Sequence, residues 1–472
     1  MSVDLYPFQE EAVRLTGYGP GILLHHSAGL GKTISGLSIA TQDRFDQVLF
    51  VGPAKVIAQA AGEARSKFGL KPFILRGRTP AAKPLTARMV MVNYAVVAHH
   101  RESLEVWAKK KRTCIIIDES HMLGNWAAFW KFTFDPVTLK ESPSLNTDYR
   151  GGAVLSIRKR CTFAVLLTAT PAPVARRQVY SQFRILMGSK GNFPDWQQFQ
   201  RLYCNWHMDE NGYPNSLGVS RSPQFRALVA PYTHRAQRSV WAHLLPAVSR
   251  RVEYIPLSEQ TKRGAIGFMK QALKDFRISG SGRQSKIMAE IALGAFKKQK
   301  AFKEFLRLSK DNGRKTLVFV NRLGLVEMYA KAAEKAGYKT FRISGAQTHK
   351  EVERALAESR ALDEPHVVVA TIQRAGESLN LQHLNTIWWA TIPRNAGQAL
   401  QGEGRILRLG SPNTDADIFW PILQASFEEE HHINLLARLG NEDASFGSDA
   451  AMDIVNSNAN DESWLDDLLA LD

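Results

Sequence analysis

The chain has 472 residues against the roughly 100–200 usual for one domain, so two domains are expected; 44% hydrophobic and 22% charged residues supply sizeable cores and exclude a disordered polymer. Sixty-one Lys+Arg face 45 Asp+Glu, a formal net charge of +16, but from Phe427 onward there are 12 acidic residues and only Arg438 is basic, leaving +27 on the first 426 residues. A basic body with an acidic tail points to a polyanionic partner, nucleic acid ahead of an anionic membrane surface.

Cys114, Cys161 and Cys204 are too far apart for a CxxC metal site or a disulfide framework, which fits a reducing cytoplasm. No apolar run approaches the ~20 residues of a membrane span, and Met1-Ser2-Val3-Asp4 does not begin a signal peptide. A soluble intracellular protein with no membrane role is expected.

In chain order, the first 185 residues alternate short apolar runs with helical stretches, the pattern of a parallel sheet covered by helices. Strands are predicted over 21–26, 47–51, 89–93, 113–117 and 163–167. An aromatic insertion is expected at about 124–160, and a helical or irregular insertion with the lobe junction at 188–250. A second alternating region, 251–440, has predicted strands at 315–320, 340–343, 366–370, 386–389 and 416–420. Residues 441–472 read as a mobile acidic tail.

The segment His26-Ser27-Ala28-Gly29-Leu30-Gly31-Lys32-Thr33 follows a strand and precedes a helical stretch, 34–41. Glycines let backbone N–H groups approach phosphate oxygens, and a helix N-terminus adds its positive dipole end. Lys32 then reaches the β/γ-phosphates of ATP and Thr33 ligates Mg²⁺. His26 stands where the strict GxxxxGK[ST] pattern has its first glycine. Eighty-five residues after Thr33, the run Ile115-Ile116-Ile117 ends in Asp118-Glu119-Ser120-His121. Asp118 at a strand end suits Mg²⁺, while Glu119 polarises the attacking water.

These motifs resemble the superfamily 2 helicases and translocases, specifically their Swi/Snf-like branch, whose small tailed-bacteriophage members are of similar size. The resemblance runs over roughly residues 5–435 and implies an α/β fold of two RecA-like motor lobes with a helical insertion between them. Leu5-Tyr6-Pro7-Phe8-Gln9 resembles the adenine-reading segment, with Gln9 on the base; Gly29, Gly31, Lys32 and Thr33 match the phosphate loop. Pro53, Lys55, Asn93 and Tyr94 fall where the family contacts the DNA backbone, and Thr168 and Thr170 belong to its threonine motif. In the second region Asn321, Gly345, Thr371 and Gln373 fall on its DNA-contacting motifs. Gln401-Gly402-Glu403-Gly404-Arg405-Ile406-Leu407-Arg408-Leu409-Gly410 matches the QxxGRxxRxG signature. By that resemblance Gln401 binds nucleotide, and Arg405 and Arg408 neutralise the γ-phosphate. Ser120 stands where Ala or Gly is commoner, and Ser378 where Gly is expected.

Other features are less specific. Trp126, Phe129, Trp130, Phe132 and Phe134 either stack on bases or, the preferred reading, pack an insertion onto the first lobe. Phe193, Trp196, Phe199, Tyr203 and Trp206 recur at helical spacing after Asp195 and read as a buried helix face. Lys297, Lys298, Lys300 and Lys303 read equally as a solvated helix face or as a basic surface. The pairs His25-His26, His99-His100 and His431-His432 read as surface or turn histidines. The expected function is an ATP- and Mg²⁺-dependent DNA helicase or translocase acting on forked, branched or duplex DNA in a bacterial or phage-infected cytoplasm. The alternatives are a duplex translocase without strand separation and a nucleotide-gated DNA-binding module. Trp464, Leu465, Leu468 and Leu469 within the acidic tail suit docking onto a replication or recombination protein, beside competition with DNA or simple solubilisation.

Overall fold

The computed structural model describes residues 3–17, 19–80, 84–135, 140–172, 175–188, 193–208, 214–215, 219–255, 298–375, 379–393, 396–424, 428–429, 431–433 and 435–436. Gly376, Ser378, Lys297 and the tail 441–472 lie outside these residues, as do the side chains of Phe132 and Phe134. The chain divides into two compact units, with the break between Gln237 and Arg238.

The first unit is built in chain order from α1 (Pro7–Arg14), β1 (Gly21–His26), α2 (Lys32–Ala40), β2 (Gln47–Gly52), α3 (Ala54–Phe68), β3 (Pro72–Leu75), β4 (Met89–Asn93), α4 (Arg101–Lys109) and β5 (Thr113–Asp118). An antiparallel hairpin follows, β6 (Trp130–Asp135) with β7 (Lys140–Leu145), then α5 (Arg150–Arg158), β8 (Phe163–Thr168), α6 (Gln178–Met187) and α7 (Trp196–Tyr203). A two-residue pairing of β9 (His207–Met208) with β10 (Pro214–Asn215), then α8 (Ser222–Val229) and β11 (Thr233–Ala236), complete it. Seven strands form one parallel sheet in the order β11-β1-β8-β5-β2-β4-β3. Successive residues of one strand feed opposite faces. Ile115 and Ile117 join one apolar cluster, Cys114 and Ile116 the other, and all four are fully buried. Helices on both faces thus explain why the strands read as unbroken apolar runs.

The segment 188–250 contributes an edge strand to each sheet. Its part in the first unit is fastened by Arg176, which is buried, donates to the carbonyls of Tyr203 and Ser220 and to Ser222 Oγ, and lies over the Phe225 ring at 4.6 Å. Asp195 caps α7, accepting from Gln198 N at 2.9 Å, and Phe199 is fully buried. Trp126 and Phe129 are buried in the same core, so the packed reading holds for these two aromatics.

The second unit is also one parallel sheet, with β12 (Ala247–Ile255), β13 (Thr316–Val320), β14 (Lys339–Ile343), β15 (His366–Thr371), β16 (Thr386–Trp389) and β17 (Asp415–Leu423) in the order β12-β17-β16-β13-β15-β14. Helices Gln299–Asp311, Leu323–Lys335 and His349–Arg360 connect the strands, the last begun by a reciprocal Thr348–Glu351 capping box. Lys298 is not part of a solvated face: it is fully buried and paired with Glu428 at 2.7 Å. A charge taken from water this far persists only when matched.

The histidine expectation is corrected in part. His25 and His26 close the buried strand β1 and His432 is buried in the second unit, whereas His99 and His100 lie in the turn that leads into α4, His99 exposed and His100 buried at its N-cap. Short apolar strands have no room for a solvated residue at their last position once a helix covers each face.

Candidate active site

Because every strand of the first sheet runs the same way, the ends of β1, β8, β5, β2 and β4 share one edge. That edge gathers the phosphate loop, Thr168, Asp118-Glu119, Pro53, and Asn93-Tyr94, residues spread over 140 positions of sequence. In open α/β sheets this is the ligand-binding edge.

The loop between β1 and α2 has Gly29 at φ 90 and Gly31 at φ 66, conformations costly for any residue with a Cβ. A Cβ on Gly31 would also sit 2.8 Å from the Gln9 amide nitrogen. Gln9 is buried and reaches the carbonyls of Leu30 and Gly31 at 3.4 and 3.5 Å, so the residue expected to read adenine touches the loop that cradles phosphate. Gly31 caps α2, so the N-terminal turn of that helix adjoins the loop. Lys32 Nζ donates to the carbonyl of His26 at 3.1 Å and approaches that of Ser27 at 3.5 Å.

His26 fills the place of the missing first glycine, and the fold makes use of it. Its Nε2 lies 2.8 Å from His234 Nδ1 on β11, and His234 Nε2 lies 3.5 Å from the carboxylate of Glu11 on α1. The one tautomer pair that serves both contacts has His26 donating from Nε2 and His234 donating from Nε2 to Glu11. His26 Nδ1 has no partner among the described residues, which suits an unprotonated nitrogen. Burial drives both imidazoles below the usual histidine range, and Glu11 partly offsets this at His234. The sequence carries no signal for this relay, since Glu11, His26 and His234 share no motif.

At the end of β5, Asp118 is buried, and burial with the adjacent Glu119 carboxylate pushes it up to about 7 against the opposing charge of Lys32. Carboxylates this desolvated, beside the phosphate loop, fit a divalent cation, and Asp118 and Thr33 are the residues that would hold it. Glu119 occupies the left-handed region, φ 50 and ψ 50. Its Oε2 lies 3.2 Å from His121 Nδ1, which also lies 3.1 Å from Thr168 Oγ1. Thr168 Oγ1 in turn accepts from the Thr170 backbone N–H at 3.1 Å. The DExH box and the threonine motif are therefore joined through His121. A parallel link explains Ser120: its hydroxyl donates to Gln182 at 2.8 Å, and the Gln182 amide donates to the Pro171 carbonyl at 2.6 Å.

Pro53, Lys55 and Asn93 reach solvent at this edge, but Tyr94, Thr168 and Thr170 are buried. Tyr94 donates to the Asp118 carbonyl at 2.6 Å. Tyr94 and, through His121, Thr168 thus hold the carboxylate turn, and Thr170 is tied to Thr168.

In the second unit, Asn321, Gly345, Thr371 and Gln373 come together at the ends of β13, β14 and β15, adjacent strands of the sheet. Gln401 lies on the helix Ala396–Glu403, and Arg405 and Arg408 follow it, half-buried. The glycine ending the signature, Gly410, has φ 73, and a Cβ on Gly402 would strike the Trp389 ring at 2.6 Å. Glu403 is fully buried, accepts from Arg250 Nη2 at 2.8 Å and faces Arg238 at 3.7 Å. It was an unassigned position of the signature in sequence, although it is the signature's sole acid.

Two family models match the chain: residues 2–172 match the res subunit of type III restriction enzymes, and residues 297–410 match the helicase conserved C-terminal domain. The chain is 22% identical over 426 residues to the DNA annealing helicase and endonuclease ZRANB3 of Bos taurus, covering 87% of this chain and 38% of that protein. It is 22% identical over 473 residues to the SWI/SNF-related matrix-associated actin-dependent regulator of chromatin subfamily A-like protein 1 of Xenopus tropicalis, covering 94% and 46%. The chain is thus similar to helicase domains in both of its halves and to SWI/SNF-related proteins over most of its length. It spans less than half the length of either relative. A Sulfolobus solfataricus SWI2/SNF2 ATPase core in complex with dsDNA aligns over 95% of this chain and 94% of that one, with 16% identity and a TM-score of 0.42. Among the described residues, no helix is long and apolar enough to cross a membrane.

Proposed function

We propose that this chain is an ATP-dependent DNA helicase or translocase that remodels or unwinds forked or branched duplex DNA. The observation that carries the reading is the joined carboxylate turn: Glu119, His121 and Thr168 in contact beside the phosphate loop. ATP is the substrate of that site. Backbone N–H groups of 29–33 and Lys32 hold its phosphates, and Gln9 reads the base. Thr33 and Asp118 would hold Mg²⁺, which would supply positive charge beside the phosphates. Glu119 orients the attacking water and accepts its proton. His121 conveys the state of that carboxylate to the threonine motif. Arg405 and Arg408 supply the remaining positive charge, on the strength of the signature they belong to.

One of the two relatives, named a DNA annealing helicase, supports DNA as the track. The +27 body supports binding through phosphates. The acidic tail, with Trp464 and its neighbouring leucines, suits docking onto a replication or recombination protein, and a bacterial or phage-infected cytoplasm rests on the resemblance to small tailed-bacteriophage members.

The deciding experiment measures ATP turnover with single-stranded, duplex, forked and four-way DNA and with RNA at one salt concentration, beside strand displacement on forks and triplex displacement on duplex. Forked or four-way DNA is expected to stimulate most, with strand displacement. Triplex displacement without strand separation would leave a duplex translocase. Turnover indifferent to DNA would overturn the motor reading.

A further inference from the structure

The edge of the first sheet opposite the ATP site is a second place where the fold collects charge. Lys71 immediately precedes β3, Arg88 precedes β4, the run 109–112 precedes β5, and Lys159-Arg160 end the turn that leads to β8. Pairing sets them side by side: Pro72 faces Met89, Val48 faces Met89, Gln47 faces Thr113, and Cys114 faces Phe163. The strands β3-β4-β2-β5-β8 are consecutive in the sheet, so the row extends over roughly 19 Å at about 4.8 Å per strand. Four segments, separated by up to 89 positions, thus contribute eight exposed Lys and Arg side chains to one edge.

An ordinary cause accounts for part of this. Helices α2, α3, α4 and α5 all end at this edge, and each C-terminus attracts cations with a partial charge of about half an electron. That offsets roughly two positive charges. Asp46 takes Arg112 in an exposed pair at 2.9 Å, and Asp43 lies beside it. The edge therefore keeps a surplus of about four positive charges that nothing local requires. Surplus like charge on adjacent strands repels itself, and a fold with no use for it has no reason to collect it from four segments. At one end of the row, Phe73 on the edge strand β3 is 49% exposed, an aromatic face next to Lys71. Cations that follow a line, with an exposed ring beside them, are what a single nucleic-acid strand requires: phosphates along the row, a base on the ring.

We propose that the amino-terminal edge of the first sheet is a second nucleic-acid surface, which holds a single strand through its phosphates at Lys71, Arg88, Lys110, Lys111 and Arg160, with a base stacked on Phe73. It is separate from the carboxyl edge that carries Asn93 and the ATP site, and it does not depend on how that site works.

The test uses the full chain with four charge reversals, Lys71→Glu, Arg88→Glu, Lys110→Glu and Arg160→Glu, and a second form with Gln at the same positions to guard against misfolding. A control chain reverses Lys303, Lys310, Lys331 and Lys335, exposed lysines of the second unit. Binding of a fluorescent 20-nucleotide single strand is titrated at several salt concentrations. The edge variants are expected to bind at least tenfold more weakly at low salt. The slope of log affinity against log salt should fall by about 2–3, at roughly 0.7 for each phosphate that is no longer neutralised. Phe73→Ala should weaken binding several-fold without changing the slope. Duplex-stimulated ATP turnover at saturating DNA should stay within about twofold of the parent. Single-strand affinity and slope equal to those of the control chain would overturn the proposal. So would an acidic peptide that binds this edge while the single strand does not.

Discussion

Glu119 is held at φ 50 and ψ 50, where a residue with a side chain carries about 1–3 kcal/mol of backbone strain. The strain is retained because the turn aims the carboxylate at His121 while Tyr94 holds the preceding carbonyl. Glu119→Gln keeps the shape and removes the base. It is expected to bind ATP with near-parental affinity and to lose turnover by at least 10³-fold, in keeping with the combined loss of base and water positioning. Near-parental DNA-stimulated turnover would remove Glu119 from that role. His121 acts through Glu119 and Thr168, so His121→Ala should behave differently. Basal turnover should fall by less than tenfold, while stimulation by DNA is largely lost. A ratio of stimulated to basal turnover that matches the parent would show that the two motifs communicate elsewhere.

The helix Ala396–Glu403 and the turn after it present the signature arginines, and Glu403 sets where that turn lies. Its buried carboxylate faces Arg250 at the start of the second sheet and Arg238. Removing one partner of a buried ion pair costs about 3–5 kcal/mol, because the remaining charge stays desolvated. Glu403→Gln should therefore lower the melting temperature of the second unit by several degrees and reduce turnover together with it. Arg405 is half-buried. Arg405→Ala is expected to cut turnover by about 10³–10⁵ with little change in melting, as for a finger arginine. If Arg405→Ala and Glu403→Gln shift melting equally, Glu403 is not the anchor of the signature.

Across the whole molecule, buried neutral histidines set how stability responds to acid. Burial pushes His25 down to about 3 and His383 and His432 to about 4, and drives His26 lower than the usual range. His383 is also placed beside His366 through Ser359 Oγ, at 2.8 and 2.9 Å. Between about pH 6.5 and 4 the unfolded chain binds protons that these folded histidines refuse, so each lowers stability by about 1.4 kcal/mol per pH unit as pH falls. Asp118, raised in the folded state, works in the opposite direction over the same window, one group against four. Melting temperature should be nearly constant above about pH 7 and fall steadily from about pH 6.5 to about 4.5. His383→Gln should make that slope shallower. A melting temperature independent of pH across this window would contradict the buried neutral assignment.

The sequence by itself determined the elements and the chemistry that needs only neighbours along the chain. Parallel strands buried on both faces must be continuous apolar runs, so all ten predicted strands appear within a few residues of where they were expected. The phosphate loop was legible because the glycine positions, the lysine and the helix start are local. Three strands of the two parallel sheets were not, β3, β11 and β12, whose alternating or half-exposed side chains resemble loops until a neighbour pairs with them, and neither were the antiparallel pairs β6–β7 and β9–β10. Only tertiary structure decided what depends on strand order. It inserted β8 between β1 and β5, which is why His121 meets Thr168 and Ser120 meets Gln182. It buried Tyr94, and it joined Glu11, His234 and His26 behind the loop. The basic edge has the same origin, because the order of strands is what aligns Lys71, Arg88, Lys111 and Arg160. Local pattern specifies a strand's length and its two faces, but which strand lies next to which is set by long-range packing that no window of sequence contains.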